Sequence, residues 1–201
     1  MKSKIIAVIP ARHGSKRLPG KNTMLMCGEP LITHTLRLAI QCEFFDNIII
    51  TSDDLKIFRI YTNEFENDPR VSFVFRPEDL ACDETLMWEV VEHACSEFDQ
   101  DTIVVLLQPT SPLREIKDIT NALSLFNICK KFGVVGVSWE YPDHEMRING
   151  AIYINYLGTI VNSRSFIYPG TLVYVMPKNK SIDIDTIDDF VQAEMEMYKD
   201  E

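Results

Sequence analysis

Two hydrophobic rhythms alternate along the chain. Runs rich in apolar and β-branched residues recur at 5–9, 47–51, 71–75, 102–107, 133–139, 149–155 and 171–176. Such runs suit strands, and the most continuous of them suit strands buried on both faces of a parallel sheet. Between the runs, apolar residues fall at helical spacing over 30–41, 55–65, 84–98, 116–131 and 187–199. In the first of these, Leu31, Ile32, Thr35, Leu36, Leu38 and Ala39 form the stripe, and Pro30 is placed for a first helical turn. In the third, Trp88, Val91 and Cys95 share the buried side. Strand followed by helix, repeated from end to end, predicts a three-layer α/β/α sandwich with a Rossmann-like, mostly parallel sheet. No internal repeat or linker interrupts the pattern, so a single domain over 1–201 is expected.

Composition narrows the partners. The 46% hydrophobic and 25% charged content is that of an ordinary globular protein. With 30 Asp and Glu against 20 Lys and Arg, the chain lacks the broad basic footprint of a general nucleic-acid binder. A small anionic substrate needs only a few local cations. The first apolar run is too short for a signal segment and no stretch approaches a membrane span, so neither targeting nor membrane association is expected. The five cysteines are scattered, without a C-x-x-C pair, which fits a reduced, cytoplasmic protein with inert thiols rather than a zinc site.

The candidate chemistry gathers at strand ends. Residues 5–22 read I-I-A-V-I-P-A-R-H-G-S-K-R-L-P-G-K-N. Pro10 closes the strand, and Gly14, Pro19 and Gly20 keep the following loop from becoming a helix. Arg12, Lys16, Arg17 and Lys21 place four cations within ten positions. A buried strand running into a glycine-bearing basic loop presents backbone N–H groups and cations to phosphate; the bland alternative is a solvated basic turn. Neither G-x-x-x-x-G-K-[ST] nor G-x-G-x-x-G is present, which excludes the standard ATPase loop and the dinucleotide fingerprint.

Near the other end, S-I-D-I-D-T spans 181–186. Alternation on an extended segment puts Asp183 and Asp185 on one face, with Ile182 and Ile184 on the other. Two carboxylates on one face make a hard-oxygen site suited to Mg²⁺. The alternative is an N-cap aspartate with a solvated neighbour, a role that Asp188 and Asp189 fit better. Ser52, Asp53 and Asp54 likewise read as a helix start, with metal or ribose binding as the alternative. The run Q-P-T-S-P-L-R at 108–114 sets an amide and two hydroxyls on a turn stiffened by two prolines. It lies at a strand's carboxyl end, where ligands bind in open α/β sheets. Phe166 and Tyr168 offer apolar faces, either to a pocket or to the core.

Together these segments resemble the CMP-sialic acid synthetases (acylneuraminate cytidylyltransferases). The basic loop is similar to that family's A-R-x-x-S-K-x-L-x-x-K-N through Ala11, Arg12, Ser15, Lys16, Leu18, Lys21 and Asn22. R-P-x-x-L-A-x-D at 76–83, Q-P-T-S-P-L-R, N-G-A-I-Y-I-N at 149–155 and S-I-D-I-D-T match further. The resemblance implies a nucleotide-diphospho-sugar transferase type of fold. It also implies transfer of CMP from CTP to the anomeric hydroxyl of a nine-carbon 2-keto sugar acid, with release of pyrophosphate. On that basis Arg12, Ser15, Lys16, Lys21, Asn22 and Arg76 are expected to hold the nucleotide. Gln108, Arg147, Tyr153 and Phe166 are expected to hold the sugar, and Asp183 and Asp185 to hold Mg²⁺. Lys21 and Asp185 are the expected catalytic residues, Asp185 being a candidate base, while Arg114 is expected to be structural and His13 has no assigned role. The acceptor alternatives are legionaminic acid, pseudaminic acid and an eight-carbon Kdo-like acid. Use of UTP or GTP, or nucleotide binding with catalysis lost, are the alternatives in function.

The chain departs from that family at two places. Leu86 and Met87 stand where members often have serines, so a hydroxyl contact to the triphosphate is expected to be missing. Residues 140–148 read as a brief connection where the family carries a long dimerisation insertion. A homodimer would lack its usual segment, and Arg147 or His144 would be left to meet the sugar carboxylate.

Overall fold

A computed structural model of the chain describes residues 3–129, 132–140 and 145–199. Among these, the strands are β1 (Ile5–Pro10), β2 (Leu25–Met26), β3 (Glu29–Pro30), β4 (Asn47–Ser52), β5 (Val71–Phe75), β6 (Ile103–Leu106), β7 (Val134–Glu140), β8 (Glu145–Tyr156) and β9 (Leu172–Val175). The helices are α1 (Leu31–Gln41), α2 (Leu55–Ile60), α3 (Met87–Ala94), α4 (Ile116–Ile128), α5 (Leu157–Ser163) and α6 (Ile187–Met197). Seven strands form one sheet in the order β5-β4-β1-β6-β8-β7-β9. Strand β1 pairs in parallel with β4 and β6, β4 with β5, and β7 with β9. Only β8 runs against the rest, pairing antiparallel with β6 and β7. The carboxyl ends of the parallel strands therefore share one edge, and β8 enters that edge from the opposite direction. The expected mostly parallel sheet between helices is the fold observed.

The β-branched runs explain why the central strands are buried twice over. Ile6 and Val8 pack towards Val91 of α3 and Ile160 of α5. Their neighbours Ala7 and Ile9 pack towards Leu36 of α1 and Ile119 of α4. Burying each large aliphatic side chain contributes about 1.5–3 kcal/mol, which makes β1 and its neighbours a rigid floor beneath the loops at their ends.

The boundaries differ from the sequence expectation where polar contacts override periodicity. Helix α3 starts at Met87 rather than near residue 84, because Glu89 caps the Leu86 backbone N–H at 2.7 Å and Asp83 is drawn away by the basic loop. The helix expected over 55–65 changes to a π-helical turn at Tyr61–Phe65. Helix α5 was not expected. Its sequence, L-G-T-I-V-N-S, is poor in helix formers, and burial of Leu157 and Ile160 supplies what propensity lacks. A tight turn at Cys27 and Gly28, both at positive φ, joins β2 to β3.

The segment read as a brief connection is largely strand. Val137 pairs with Ile148, Ser138 with Arg147 and Glu140 with Glu145, so β7 and β8 continue as a ribbon past a register shift near Val135. Residues 141–144, including His144, lie outside the described residues. Among the described residues no helix is long and apolar enough to cross a membrane. Cys42 and Cys95 are buried, and burial pushes their thiols up to about 11 and about 12, so both are inert; Cys82 is exposed.

Candidate active site

The basic loop leaves the buried end of β1 and is pinned from several sides. The His13 backbone N–H donates to Asp53 at 2.7 Å, and the His13 ring meets the Asp54 carboxylate at 3.0 Å. Asp54 also caps α2 by accepting from the Lys56 N–H at 2.8 Å. Capping is thus a role of Asp54, and anchoring the loop is a role of both aspartates that only tertiary structure shows. Gly20, at φ 70°, turns the chain into the short helical turn Lys21–Thr23. That turn buries Asn22, whose amide nitrogen donates to the Arg12 carbonyl at 3.1 Å. The Asn22 side-chain oxygen is buried without a partner among the described residues. Buried acceptors are rarely left open, so this oxygen is available to a ligand's donor.

Lys21 then spans the chain. Its ammonium donates to the Ile184 carbonyl at 2.6 Å and to Asp185 at 3.1 Å. Arg17 reaches the same carboxylate at 2.9 Å. The Asp185 backbone N–H donates to Asp189, which also closes a capping box with Thr186 at the start of α6. Asp189 therefore takes the bland capping role and leaves Asp185 and Asp183 to the cleft, as the alternation of the segment implied. Thr110, from the Q-P-T-S-P-L-R turn, hydrogen-bonds Asp183. The Asp183 carboxyl is pushed above the usual carboxylate range, chiefly because protein crowds it at the cleft floor, with the charge of Asp185 adding to the effect.

Three adjoining cavities result. The first, of about 420 Å³, is a cationic cradle formed by Arg12, Ser15, Lys16, Arg17, Lys21 and Asn22. The second, of about 370 Å³, shares Arg12, Arg17, Lys21, Asn22 and Asp185 with it and adds Arg76, Gln108, Thr110 and Asp183. The third, of about 220 Å³, shares Met87 and Gln108 with the second and is otherwise walled mainly by apolar side chains, among them Tyr153 and Phe166. Arg76 is almost fully buried, donates to the Thr51 carbonyl at 2.8 Å, and burial lowers its guanidinium to about 10, so it enters the cleft as a cation at neutral pH.

Most of the residues named from sequence converge here, and one does not. Arg147 projects from the β7–β8 ribbon, pairs in register with Ser138, lies 3.9 Å from Glu145 and lines none of these cavities. Phe166 stacks edge-on against Tyr153 at 5.5 Å, so it is wall and core at once. Tyr168 is structural: its hydroxyl accepts from the Gly133 N–H at 2.8 Å and from Asn155 at 3.2 Å. Arg114 is structural as expected, buried and bonded to the Ala151 carbonyl and the Thr35 hydroxyl. Arg17, Thr110 and Gly150 are the site residues that sequence reasoning left unassigned.

Gly150 shows why the N-G-A-I-Y-I-N strand belongs to the site. At φ 71°, it sits where an added Cβ would lie 2.7 Å from the Gln108 side-chain oxygen and 3.2 Å from the Asp183 carboxylate. Gly150→Ala is expected to cost about 1–3 kcal/mol of stability and to displace the Gln108 amide. Thermal unfolding checks the first effect. A raised KM for the acceptor, with KM for the nucleotide unchanged, checks the second.

Asp83 already occupies the cradle. It pairs with both Arg12 and Lys16, whose hydrogen bonds hold its carboxyl below the usual range. Any triphosphate entering the cradle must displace this carboxylate. Asp83→Asn is expected to tighten nucleotide binding roughly 2- to 10-fold, the scale of exposed ion pairs, as measured by titration calorimetry. Weaker binding would instead assign Asp83 to shaping the loop.

The geometry also bears on a metal. Among the described residues no cluster of three or more His, Cys, Asp or Glu side chains offers a ready-made cage. Mg²⁺ is commonly held by one or two carboxylates together with waters and substrate phosphates. Asp183 and Asp185, facing one cleft beside a cationic cradle, fit that donor set.

The chain is similar in sequence and in fold to known proteins. Residues 6–135 match the sequence model of the family described as Cytidylyltransferase. The chain is 32% identical over 222 residues to an N-acylneuraminate cytidylyltransferase of Escherichia coli O18:K1:H7, covering 96% of this chain and 52% of that protein. It thus spans about half the length of the N-acylneuraminate cytidylyltransferases it matches. It is 33% identical over 225 residues to a CMP-N,N'-diacetyllegionaminic acid synthase of Legionella pneumophila, covering 95% of each. A solved CMP:2-keto-3-deoxy-manno-octonic acid synthetase complexed with CTP superposes with a TM-score of 0.76 at 15% identity, over 99% of this chain and 100% of that one, which shows a shared fold.

Proposed function

Because the chain belongs to the cytidylyltransferase family, we propose that it transfers CMP from CTP to the anomeric hydroxyl of a nonulosonic acid and releases pyrophosphate. The observation that carries this reading is the continuity of the three cavities: a cationic cradle, a pair of aspartates and an apolar cavity follow one another along the sheet edge.

Phosphoryl transfer needs positioning and charge neutralisation more than covalent help from the protein. Arg12, Lys16 and Lys21 hold the triphosphate once Asp83 has been displaced, and Arg76 adds a buried cation from the neighbouring strand end. Asn22 meets the nucleotide with its open acceptor. Gln108 lines both the central cleft and the apolar cavity, so its amide orients the sugar acid at the junction. Asp183 and Asp185 would hold Mg²⁺, which neutralises phosphate oxygens and makes the attacking hydroxyl more acidic. Asp185 stands beside Lys21 to accept the proton of that hydroxyl.

The test is pyrophosphate release from CTP and Mg²⁺ with a panel of acids: N-acylneuraminic, legionaminic, pseudaminic and eight-carbon Kdo-like, with UTP and GTP as alternative donors. Turnover with CTP and a nine-carbon acid supports the reading. CTP binding without turnover on any of the acids would contradict it and favour a nucleotide-binding protein.

A further inference from the structure

Of the four cations in the basic loop, Arg17 alone has no task in the transfer scheme. The four are matched in pairs by two carboxylates: Asp83 bridges Arg12 and Lys16, and Asp185 bridges Arg17 and Lys21. On Asp185 the two cations take different oxygens, Lys21 meeting Oδ1 at 3.1 Å and Arg17 meeting Oδ2 at 2.9 Å. A divalent cation held by this carboxylate needs at least one of those oxygens. Lys21 is fixed, because its side chain is 13% exposed and also donates to the Ile184 carbonyl at 2.6 Å. Arg17 is held only at its tip: its side chain is 69% exposed, and Asp185 is its sole ion-pair partner among the described residues. Arg17 also lines both the cationic cradle and the central cleft, so a triphosphate in the cradle comes within its reach. Phosphate accepts a guanidinium's donors in pairs and carries more charge than one carboxylate.

We propose that Arg17 gates the metal site: paired with Asp185 it denies that carboxylate to a divalent cation, and a triphosphate opens the site by drawing the guanidinium onto its phosphates. The released oxygen belongs to a carboxylate that lines the cleft together with Asp183. Arg17 acts here through Asp185, as a positioning residue. The apparent affinity for metal falls with the fraction of chains in which Asp185 is left open. By reciprocity, a metal at Asp185 releases Arg17 to the nucleotide, so each ligand favours the other. The inference rests on the reading that Asp183 and Asp185 hold the metal. It goes beyond that reading by fixing the order in which the site fills, with the metal entering alongside or after the nucleotide.

The experiment measures Mn²⁺ binding by electron paramagnetic resonance, first without nucleotide and then with CTP. Arg17→Ala should tighten Mn²⁺ binding in the absence of nucleotide by roughly 2- to 5-fold, the scale of an exposed ion pair. The same variant should weaken CTP binding, measured by titration calorimetry, by a similar factor. Loss of a merely structural contact would weaken both. Two further variants separate the pair from bulk charge. Lys16→Ala removes an equal charge from the loop and leaves the Asp185 pair, so its Mn²⁺ affinity should stay near the wild-type value. Arg17→Ala combined with Asp185→Asn should lose the gain. Unchanged or weaker Mn²⁺ binding by Arg17→Ala, undiminished CTP binding, or a gain that survives Asp185→Asn or is matched by Lys16→Ala would overturn the proposal while leaving the transferase reading intact. If Asp185→Asn alone leaves Mn²⁺ binding in the presence of CTP at the wild-type level, the metal assignment falls with it.

Discussion

Replacing Asp183 by Asn is expected to lower pyrophosphate release on the order of 10²–10³-fold or more, the range for losing one preorganised group that stabilises transition-state charge, without unfolding the chain. The two halves of this expectation have separate causes. Activity falls because the amide is a poor partner for a hard cation, and Asp185, already shared between Arg17 and Lys21, cannot replace it. Stability is preserved because the folded chain disfavours charge on Asp183: its carboxyl is raised, chiefly by burial and then by Asp185. A carboxyl whose folded pKa lies above its unfolded value weakens the fold once pH exceeds the unfolded value. At neutral pH the neutral amide removes that penalty, so the melting temperature should stay the same or rise. Steady-state kinetics together with thermal unfolding check both. A large fall in melting temperature would show that Asp183 is structural.

Lys21→Ala is the second large effect. The ammonium is mostly buried, with its side chain 13% exposed, and it binds the Ile184 carbonyl and Asp185 at once. It is therefore both a triphosphate cation and the strut that brings the late aspartates to the basic loop. Its removal is expected to lower kcat/KM for CTP by roughly 10²–10³-fold. Part of that loss should appear as weaker Mn²⁺ binding in the presence of CTP, because Asp185 loses its anchor. A loss confined to CTP affinity, with metal binding unchanged, would reduce Lys21 to a phosphate ligand alone.

The fold was legible because its strands are β-branched runs and its helices carry clean apolar stripes, both of which are local properties. The basic loop was legible as a concentration of cations in an acidic chain. What the sequence could not show is which opposite charges meet. Arg12 and Asp83 are 71 positions apart, and Lys21 and Asp185 are 164 apart, so only the shared edge of the sheet unites them. Helix α5 escaped notice because L-G-T-I-V-N-S has weak helix propensity. Arg147 is the named residue that lies apart from the others. A matching residue type before the N-G-A-I-Y-I-N strand suggested a sugar contact, but the ribbon formed by β7 and β8 carries it past the edge of the sheet and away from the cavities.

The central claim concerns the meeting of two distant segments around one nucleotide, and crystals grown with CTP and Mn²⁺ test it directly. Anomalous density from the metal should lie between Asp183, Asp185 and the triphosphate, with Arg12, Lys16 and Lys21 on the phosphates and Asp83 released from the cradle. Metal density away from the two aspartates, or a triphosphate bound outside the basic loop, would contradict the account.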